Sequence, residues 1–234
     1  METISYGAVL TGDFVGSSKL TAAEMMAARR TLEQVFAKVA SAQPSHPLRR
    51  VLVGEPDFFR GDSWQALIDD PVWCLRAAVF IRARLMADND LDCRVSIAVG
   101  DIESVDKKKV SMSLGEAFSH SGMALDGMKT RERLIFHLCT QGSERAHLGM
   151  ALAISLAGGV RLVDALVTGW TRKQADAVSH SLLAPMDDLP TFEMISNILG
   201  VSRQTVQNHY EAAHWPIFLE YFSIFDFVLA DNAN

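Results

Sequence analysis

Cysteine is scarce in this sequence, and the spacing of the few that occur is uninformative. The chain of 234 residues holds three cysteines, Cys74, Cys93 and Cys139, and none of them forms a Cys-x-x-Cys pair. An odd number of widely separated thiols argues against a disulfide framework and against a zinc site, and it fits a reducing compartment. We therefore expect a cytoplasmic protein.

Long apolar runs and targeting signals are also lacking. Residues 1–7 show no basic segment followed by an apolar run, so we expect no secretory signal. The most apolar stretch, residues 150–160, is shorter than the roughly 20 residues that a bilayer requires. It predicts a buried helix and no membrane partner.

Positive charge is in deficit as well. The sequence has 22 Lys and Arg against 28 Asp and Glu, a formal net charge of -6. This balance excludes nucleic-acid binding through bulk charge, so any DNA contact must come from a local surface. The content of 49% apolar and 21% charged residues is typical of a folded globular protein.

The hydrophobic pattern of the first part of the chain predicts a mixed α+β domain. β-prone runs predict strands at residues 4–10, 50–53, 58–67, 93–99 and 134–139, with a turn at residues 54–57. Helical spacing predicts helices at residues 22–40, 71–86 and 115–128, the first after a capping box of Thr21 and Glu24. Two strand-helix-strand halves indicate a ferredoxin-like sheet.

The pattern after Gln141 is helical throughout. Helices are predicted at residues 144–156, at 160–167 and after Thr171, whose side chain is expected to cap. Residues 181–190 hold two prolines and form the best linker. We expect three parts: a sheet domain at residues 1–140, a helical connector at 141–187, and a helix-turn-helix with a C-terminal helix at 188–234.

Two aspartates stand where strands of this sheet end or turn. Asp13 follows the first strand and Asp62 follows a glycine in the central hairpin. Two carboxylates on neighbouring strands are a typical protein contribution to a Mg²⁺ site. Gly16, Ser17 and Ser18 lie before a helix and offer backbone N–H groups to a phosphate. A Gly-Asp pair is also ordinary turn chemistry, so each aspartate has a purely structural interpretation.

Four motifs stand in the first 140 or so residues: 8–20 (AVLTGDFVGSSKL), 60–63 (RGDS), 94–102 (RVSIAVGDI) and 115–118 (GEAF). In sequence and in order they resemble the motifs of class III adenylate and guanylate cyclases. The resemblance implies a nucleotidyl cyclase-type domain in which Asp13 and Asp62 bind metal.

The catalytic positions of those cyclases are replaced here. In the helix that opens at Gly115, active cyclases carry an asparagine and then an arginine, and this chain has Ser119 and Met123. Phe58 stands near the position of their purine-selecting lysine. A thioether cannot supply the cationic donors that phosphoryl transfer requires. The resemblance therefore implies a metal pair without the complete cyclase machinery.

A fuller resemblance, over nearly the whole chain, is to the SatD-like family. Its members join a cyclase-like domain to a helix-turn-helix, and the motif Gly-Asp-x-x-Gln appears here as residues 61–65 (GDSWQ). Residues 170–174 (WTRKQ) are similar as well. The resemblance implies this architecture and leaves the biochemical activity open.

Residues 192–211 predict two helices joined by a tight turn at Gly200, where a positive φ is often required. Apolar packing is predicted for Ile195, Leu199, Val201 and Val206, with small Ser196 between the helices. The second helix would expose five polar residues suited to phosphate and base-edge contacts in a major groove. They are Ser202, which is also the expected cap, Arg203, Gln204, Gln207 and Asn208.

A helical hairpin that serves only association explains the same pattern, and the aromatic final helix fits that alternative.

No histidine has a ligand spacing such as His-Glu-x-x-His, and His120 is the one histidine with a candidate site role. Lys107, Lys108 and Lys109 fit a solvated turn.

These features predict a cytoplasmic regulator, expected as a homodimer, in which a nucleotide or phosphate ligand, with Mg²⁺, controls a helix-turn-helix on double-stranded DNA. One alternative is an active Mg²⁺-dependent enzyme with atypical catalytic residues. It would be a nucleotidyl cyclase, which is a phosphorus-oxygen lyase, or a nucleotidyltransferase. Another is a catalytically silent protein-interaction module. The catalytic residues are not assigned from sequence.

Overall fold

The computed structural model describes residues 4–43, 51–139 and 146–232, which form one sheet and eight α-helices. The strands are β1 (Tyr6–Phe14), β2 (Leu52–Phe59), β3 (Ser63–Ile68), β4 (Cys93–Asp101) and β5 (Leu134–Leu138). The helices are α1 (Ala22–Ala40), α2 (Cys74–Asn89), α3 (Glu116–Gly127), α4 (Ala146–Thr168), α5 (Arg172–Leu182), α6 (Phe192–Leu199), α7 (Arg203–Ala212) and α8 (Trp215–Asn232).

The strand order is β2-β3-β1-β4-β5. All neighbouring pairs are antiparallel except β4 and β5, which are parallel. The first four strands have the ferredoxin-like order, and β5 extends the sheet at one edge. The predicted α+β class with a ferredoxin-like sheet and an all-α C-terminal part is confirmed.

The sheet has two faces with different covers. Leu10, Trp64 and Ile97 are on the face that joins α1, α2 and the C-terminal helices in the larger core. Val9 and Leu67 are on the opposite face, which α3 covers through Phe118. Since side chains alternate along a strand, the residues next to Val9 on the α3 side are Thr11 and Asp13.

The end of β1 and the first hairpin differ most from the sequence prediction. β1 continues to Phe14 instead of ending at Leu10, because its last residues pair with both β3 and β4. The turn predicted at residues 54–57 is wrong: β2 runs through it with a shift of register between Val53 and Asp57. Gly54 adopts a left-handed φ of 69° there, and the hairpin turns at residues 60–62 instead.

Helix α4 is continuous where the sequence predicted two helices. Gly158 and Gly159 do not break it, because the ring of Tyr221 on α8 packs where a side chain at residue 159 would lie. The Tyr221 hydroxyl donates to the Leu156 carbonyl at 2.7 Å.

The apolar stretch of α4 is longer than the sequence analysis expected, so the expectation that it is too short for a bilayer is wrong. Residues Gly149–Thr168 have the length and composition of a membrane span, with mean hydropathy 1.8, a criterion that core helices of soluble proteins also meet. Only 28% of this span is buried, so the buried helix predicted at residues 150–160 is wrong.

The C-terminal helices share the core of the sheet domain. Helix α5 packs along α2, and α7 packs on α5 through Tyr210, whose hydroxyl lies 2.7 Å from Ser181 Oγ. The Trp170 indole donates to the Ala213 carbonyl at 3.2 Å. Thr171 caps α5 as predicted. The division into three parts stays a prediction.

Candidate functional site

The candidate site begins at the end of β1, in the middle of the sheet. Asp13 lies opposite Ser63 of β3 and Arg94 of β4 in the antiparallel register. Residues directly opposite one another in such pairs point to the same face. The three side chains therefore lie on the face that α3 covers in part.

Arg94 forms a two-point ion pair with Asp13. Its Nε donates to Oδ1 at 2.8 Å, and Nη2 donates to Oδ2. The hydrogen bonds that Arg94 donates to Asp13 are the main reason that the pKa of Arg94 lies above its usual value, and the charges of Asp126 and Asp62 act in the same direction. The charges of three carboxylates thus act on one guanidinium, and Asp13 is the one that it contacts.

Asp62 is held by a strained hairpin turn. The two preceding residues, Arg60 and Gly61, both have positive φ, 51° and 88°. A non-glycine residue in this region is uncommon and is often found near functional sites. Asp62 accepts a long bond of 3.4 Å from Ser63 Oγ. The charge of Asp62 acts on the same guanidinium that pairs with Asp13. The convergence of the two carboxylates on one metal ion stays a prediction.

The donor set suits Mg²⁺, which prefers carboxylate oxygens. Both oxygens of Asp13, however, already accept hydrogen bonds from Arg94. A Mg²⁺ ion held by Asp13 and Asp62 would therefore compete with the Arg94 guanidinium for these oxygens. Metal binding at these residues stays a prediction.

The loop predicted for phosphate contacts forms a turn of its own. Gly16 has a φ of 69°, and Lys19 N–H donates to the Gly16 carbonyl at 2.9 Å across a single 3₁₀ turn. Helix α1 begins later, after Thr21, whose capping box with Glu24 satisfies its first turn. Gly16, Ser17 and Ser18 therefore do not open α1, and their phosphate role remains a prediction.

A buried polar contact behind the carboxylates was missed in the sequence. Thr11 Oγ1 lies 2.7 Å from Ser121 Oγ and accepts from Gln65 Nε2 at 2.8 Å. All three side chains are buried, and they join β1, β3 and α3. Because Thr11 is two residues before Asp13 on the same face, this contact fixes α3 beside the aspartate.

The positions that differ from active cyclases do not regain a cationic donor from their neighbours on α3. Met123 is 63% exposed and Ser119 is exposed. The ring of Phe58 is covered by Arg29, whose guanidinium carbon lies 4.8 Å from the ring centre. Arg29 is thus held against an aromatic face at the β2 side of the sheet.

The predicted helix pair near the C-terminus is present as α6 and α7. Gly200 ends α6 with a left-handed φ of 66°, and Ser202 caps α7 by accepting from Thr205 N–H at 3.1 Å. Ile195 and Val206 are fully buried, and Ser196 is nearly so. The packing role predicted for Val201 is wrong, because this residue lies in the turn and is 41% exposed.

The five polar residues predicted for DNA contacts lie at the start and on the outside of α7. Ser202, Arg203, Gln204 and Asn208 are exposed, and Gln207 is half-buried. Gln204 bonds Asn208 at 2.9 Å. Arg203 is the single Lys or Arg among residues 192–234 of the sequence, against five acidic residues. This surface presents hydrogen-bonding groups with little positive charge.

A second group of polar side chains lies at the β5 edge and has no counterpart in the predicted sites. Glu116 and His120 on α3 approach Cys139, which follows β5. The sequence singled out His120 alone, because the cysteine is far away along the chain. Cys139 thus lies near two other potential metal ligands, although the spacing of the cysteines in the sequence argued against a zinc site.

Comparison with solved structures finds likenesses to cyclases over part of the chain. The guanylyl cyclase Cya2 matches with a TM-score of 0.37 and 17% identity, over 56% of this chain and 74% of that one. Two structures of a bacterial light-regulated adenylyl cyclase match with TM-scores of 0.37 and 0.38 and identities of 15% and 18%. Each covers 57% of this chain, which spans 43% of theirs.

At these identities and TM-scores the likeness assigns neither an activity nor a ligand to this chain. No protein-family model matches it, and no curated protein matches it.

Proposed function

We propose that this chain is a regulator of the SatD-like type. The sheet domain binds a phosphate-containing ligand such as a nucleotide together with Mg²⁺, and α6 and α7 contact double-stranded DNA. The observation that carries the first part is the pairing of Arg94 with Asp13 beside Asp62 and Asp126.

The pairing supports ligand binding by exchange of counter-ions. Asp13 and Asp62 would hold Mg²⁺, which supplies positive charge to the phosphate oxygens when bound. Arg94, once released from Asp13, can pair with phosphate through the planar fork that suits this anion. The unliganded protein keeps its own carboxylate neutralised by Arg94 until both partners arrive.

Binding without turnover is the outcome that the side chains favour. Ser119 and Met123 occupy the positions at which the resemblance places transition-state donors, and neither is a cation. An active Mg²⁺-dependent cyclase or nucleotidyltransferase remains the alternative, because the charges of both aspartates act on the same guanidinium. The two differ in whether a product forms.

The DNA-binding part of the proposal is supported by the shape and exposure of α7. Its start is capped by Ser202 and free of packing, and Arg203, Gln204 and Asn208 point outward. With a single arginine, phosphate attraction would be weak, so specific affinity requires base contacts and two half-sites. We therefore propose a homodimer, which sedimentation analysis of the full chain tests directly.

A thermal-shift screen of the full chain with each nucleoside triphosphate and Mg²⁺ tests ligand binding. The wild type should be stabilised by at least one of them, and Asp13→Asn and Asp62→Asn should lose that shift. Asp188→Asn, in an exposed loop, is the matched control and should keep it. Absence of any shift in the wild type would refute the ligand-binding proposal.

Chromatography of the same mixtures decides between binding and turnover. Intact nucleotide after long incubation supports the sensor, whereas a cyclic or transferred product that is lost in Asp62→Asn supports the enzyme.

Selection from random DNA at low salt tests DNA binding by α7. An enriched motif whose binding weakens in Arg203→Ala, but not in Lys129→Ala, is expected. No enrichment would leave the protein-interaction module as the better account.

A further inference from the structure

Three side chains with metal-binding atoms converge at the β5 edge of the sheet. Glu116 and His120 stand one turn apart on α3, and Cys139 follows β5. One ligand atom of each residue lies within 4.8 Å of those of the other two. Glu116 Oε1 and His120 Nε2 are 3.6 Å apart.

The backbone fixes this arrangement on both sides. Cys139 N–H donates to the Val99 carbonyl at 2.8 Å, which holds the thiol at the end of the β4–β5 pair. Gly100 leaves room for it: a Cβ at this residue would lie 2.9 Å from Cys139 Sγ and 3.7 Å from Glu116 Oε2. Helix α3 packs on both strands. The cluster therefore rests on three regular elements, and none of its ligands depends on a long loop.

We propose that Glu116, His120 and Cys139 form a binding site for a Zn²⁺-type dication, separate from the carboxylates at Asp13. Carboxylate, imidazole and thiolate are the three side-chain ligands that Zn²⁺ takes, and in a tetrahedral site neighbouring ligand atoms lie about 3.3–3.8 Å apart. The Glu116–His120 separation of 3.6 Å meets this range, and a ligand atom of Cys139 lies within 4.8 Å of those of both residues. Three protein ligands leave the fourth position open to water.

A nucleophilic role for the thiol fits less well. Burial, together with the negative charges of Glu116 and Asp101, raises the pKa of Cys139 to about 12. The uncomplexed thiol is thus protonated at neutral pH and unreactive. The same negative surroundings attract a cation, whose binding releases the thiol proton.

The site would tie α3 to the edge of the sheet. The same helix carries Ser121, which contacts Thr11 beneath Asp13. A bound dication would therefore hold the helix that flanks the candidate ligand face. The proposal does not depend on the function proposed above, and Asp13→Asn should leave Zn²⁺ binding unchanged.

Titration of the full chain with Co²⁺ and then with Zn²⁺ tests the site. In the wild type, one equivalent of Co²⁺ should give a thiolate-to-cobalt charge-transfer band and the visible bands of a tetrahedral ion, and Zn²⁺ should displace it. Cys139→Ser should lose the charge-transfer band. Because even outer-shell changes weaken metal sites by about 10–100-fold, His120→Gln and Glu116→Gln should weaken Zn²⁺ binding at least about 100-fold.

Matched controls are His209→Gln, a half-buried helical histidine on α7, and Cys93→Ala, a buried thiol elsewhere. Both should bind like the wild type. The proposal fails if no charge-transfer band forms, if the band persists in Cys139→Ser, or if all histidine variants bind Zn²⁺ equally. Should Cys139→Ser not fold, the comparison of His120→Gln with His209→Gln decides by itself.

Discussion

Arg94 and Asp13 face each other across the central strands β4 and β1 and are joined by two hydrogen bonds, one of them 2.8 Å long between Nε and Oδ1. Both oxygens of Asp13 thus accept hydrogen bonds from Arg94, and a metal ion at Asp13 would compete with this guanidinium.

Removal of the arginine should therefore improve metal binding. In Arg94→Gln, we expect Mg²⁺ alone to bind about tenfold more tightly, because the guanidinium no longer repels the ion or competes with it for the Asp13 oxygens. Phosphate-containing ligands should bind more weakly in the same variant. Isothermal titration with Mg²⁺ and with Mg²⁺-nucleotide measures both effects. Arg30→Gln, which removes the same charge from an exposed site on α1, should change neither.

A buried arginine joins three parts of the chain, and its loss should be costly. Arg82 on α2 is fully buried and donates to Asp92 at 2.9 Å, Asp164 at 2.8 Å and Thr168 at 2.9 Å. Arg82→Met leaves two carboxylates without their cation, which should reduce the free energy of unfolding by about 3–5 kcal/mol. Urea denaturation tests this value. A loss as small as that of Arg30→Met would contradict it.

Two adjacent glycines of α4 should respond in opposite directions to the same substitution. An added Cβ meets nothing within 4 Å at Gly158, so Gly158→Ala should stabilise the protein by about 0.5–1 kcal/mol through helix propensity. At Gly159 the Cβ would lie 2.2 Å from the Tyr221 ring. Gly159→Ala should therefore destabilise by about 1–3 kcal/mol as α8 is pushed away. Melting temperatures of the two variants give the comparison, and equal signs would disprove the described packing of α8.

Asp226 should make stability fall as the pH rises. Burial raises its pKa to about 6 from 3.8, and Arg76 opposes this rise without cancelling it. A raised carboxyl pKa means that the folded state binds the proton more tightly. The contribution of protonated Asp226 to the free energy of unfolding is complete below about pH 4, declines as the pH rises, and is lost above about pH 6.

The difference in unfolding free energy between wild type and Asp226→Asn should thus change by on the order of 2 kcal/mol between pH 4 and pH 7, to the disadvantage of the wild type at high pH. Urea titrations at both ends measure it. Asp188→Asn, which is exposed, should show a constant difference. A constant difference for Asp226→Asn as well would mean that its folded-state pKa is normal.

Local sequence determined the elements that depend on neighbouring residues. The capping boxes of Thr21 with Glu24 and of Thr171 with Gln174 start α1 and α5, because each cap bonds a residue three positions away. The alternation of β4 and the turn at Gly200 were predictable for the same reason. The order of these elements was sufficient to predict the ferredoxin-like sheet.

Only the tertiary structure decided which residues that are far apart in the sequence contact one another. Strand pairing placed Arg94 on Asp13, a relationship that depends on a register no local motif encodes. Tyr221 kept α4 continuous past two glycines, and parallel pairing brought Cys139 to Glu116 and His120. Propensity and spacing describe a segment by itself, whereas these contacts depend on where the rest of the chain packs. For this protein, the sequence determined the sheet and the place of its two aspartates, and the packing decided that Arg94 pairs with Asp13 and that Cys139 lies beside Glu116 and His120.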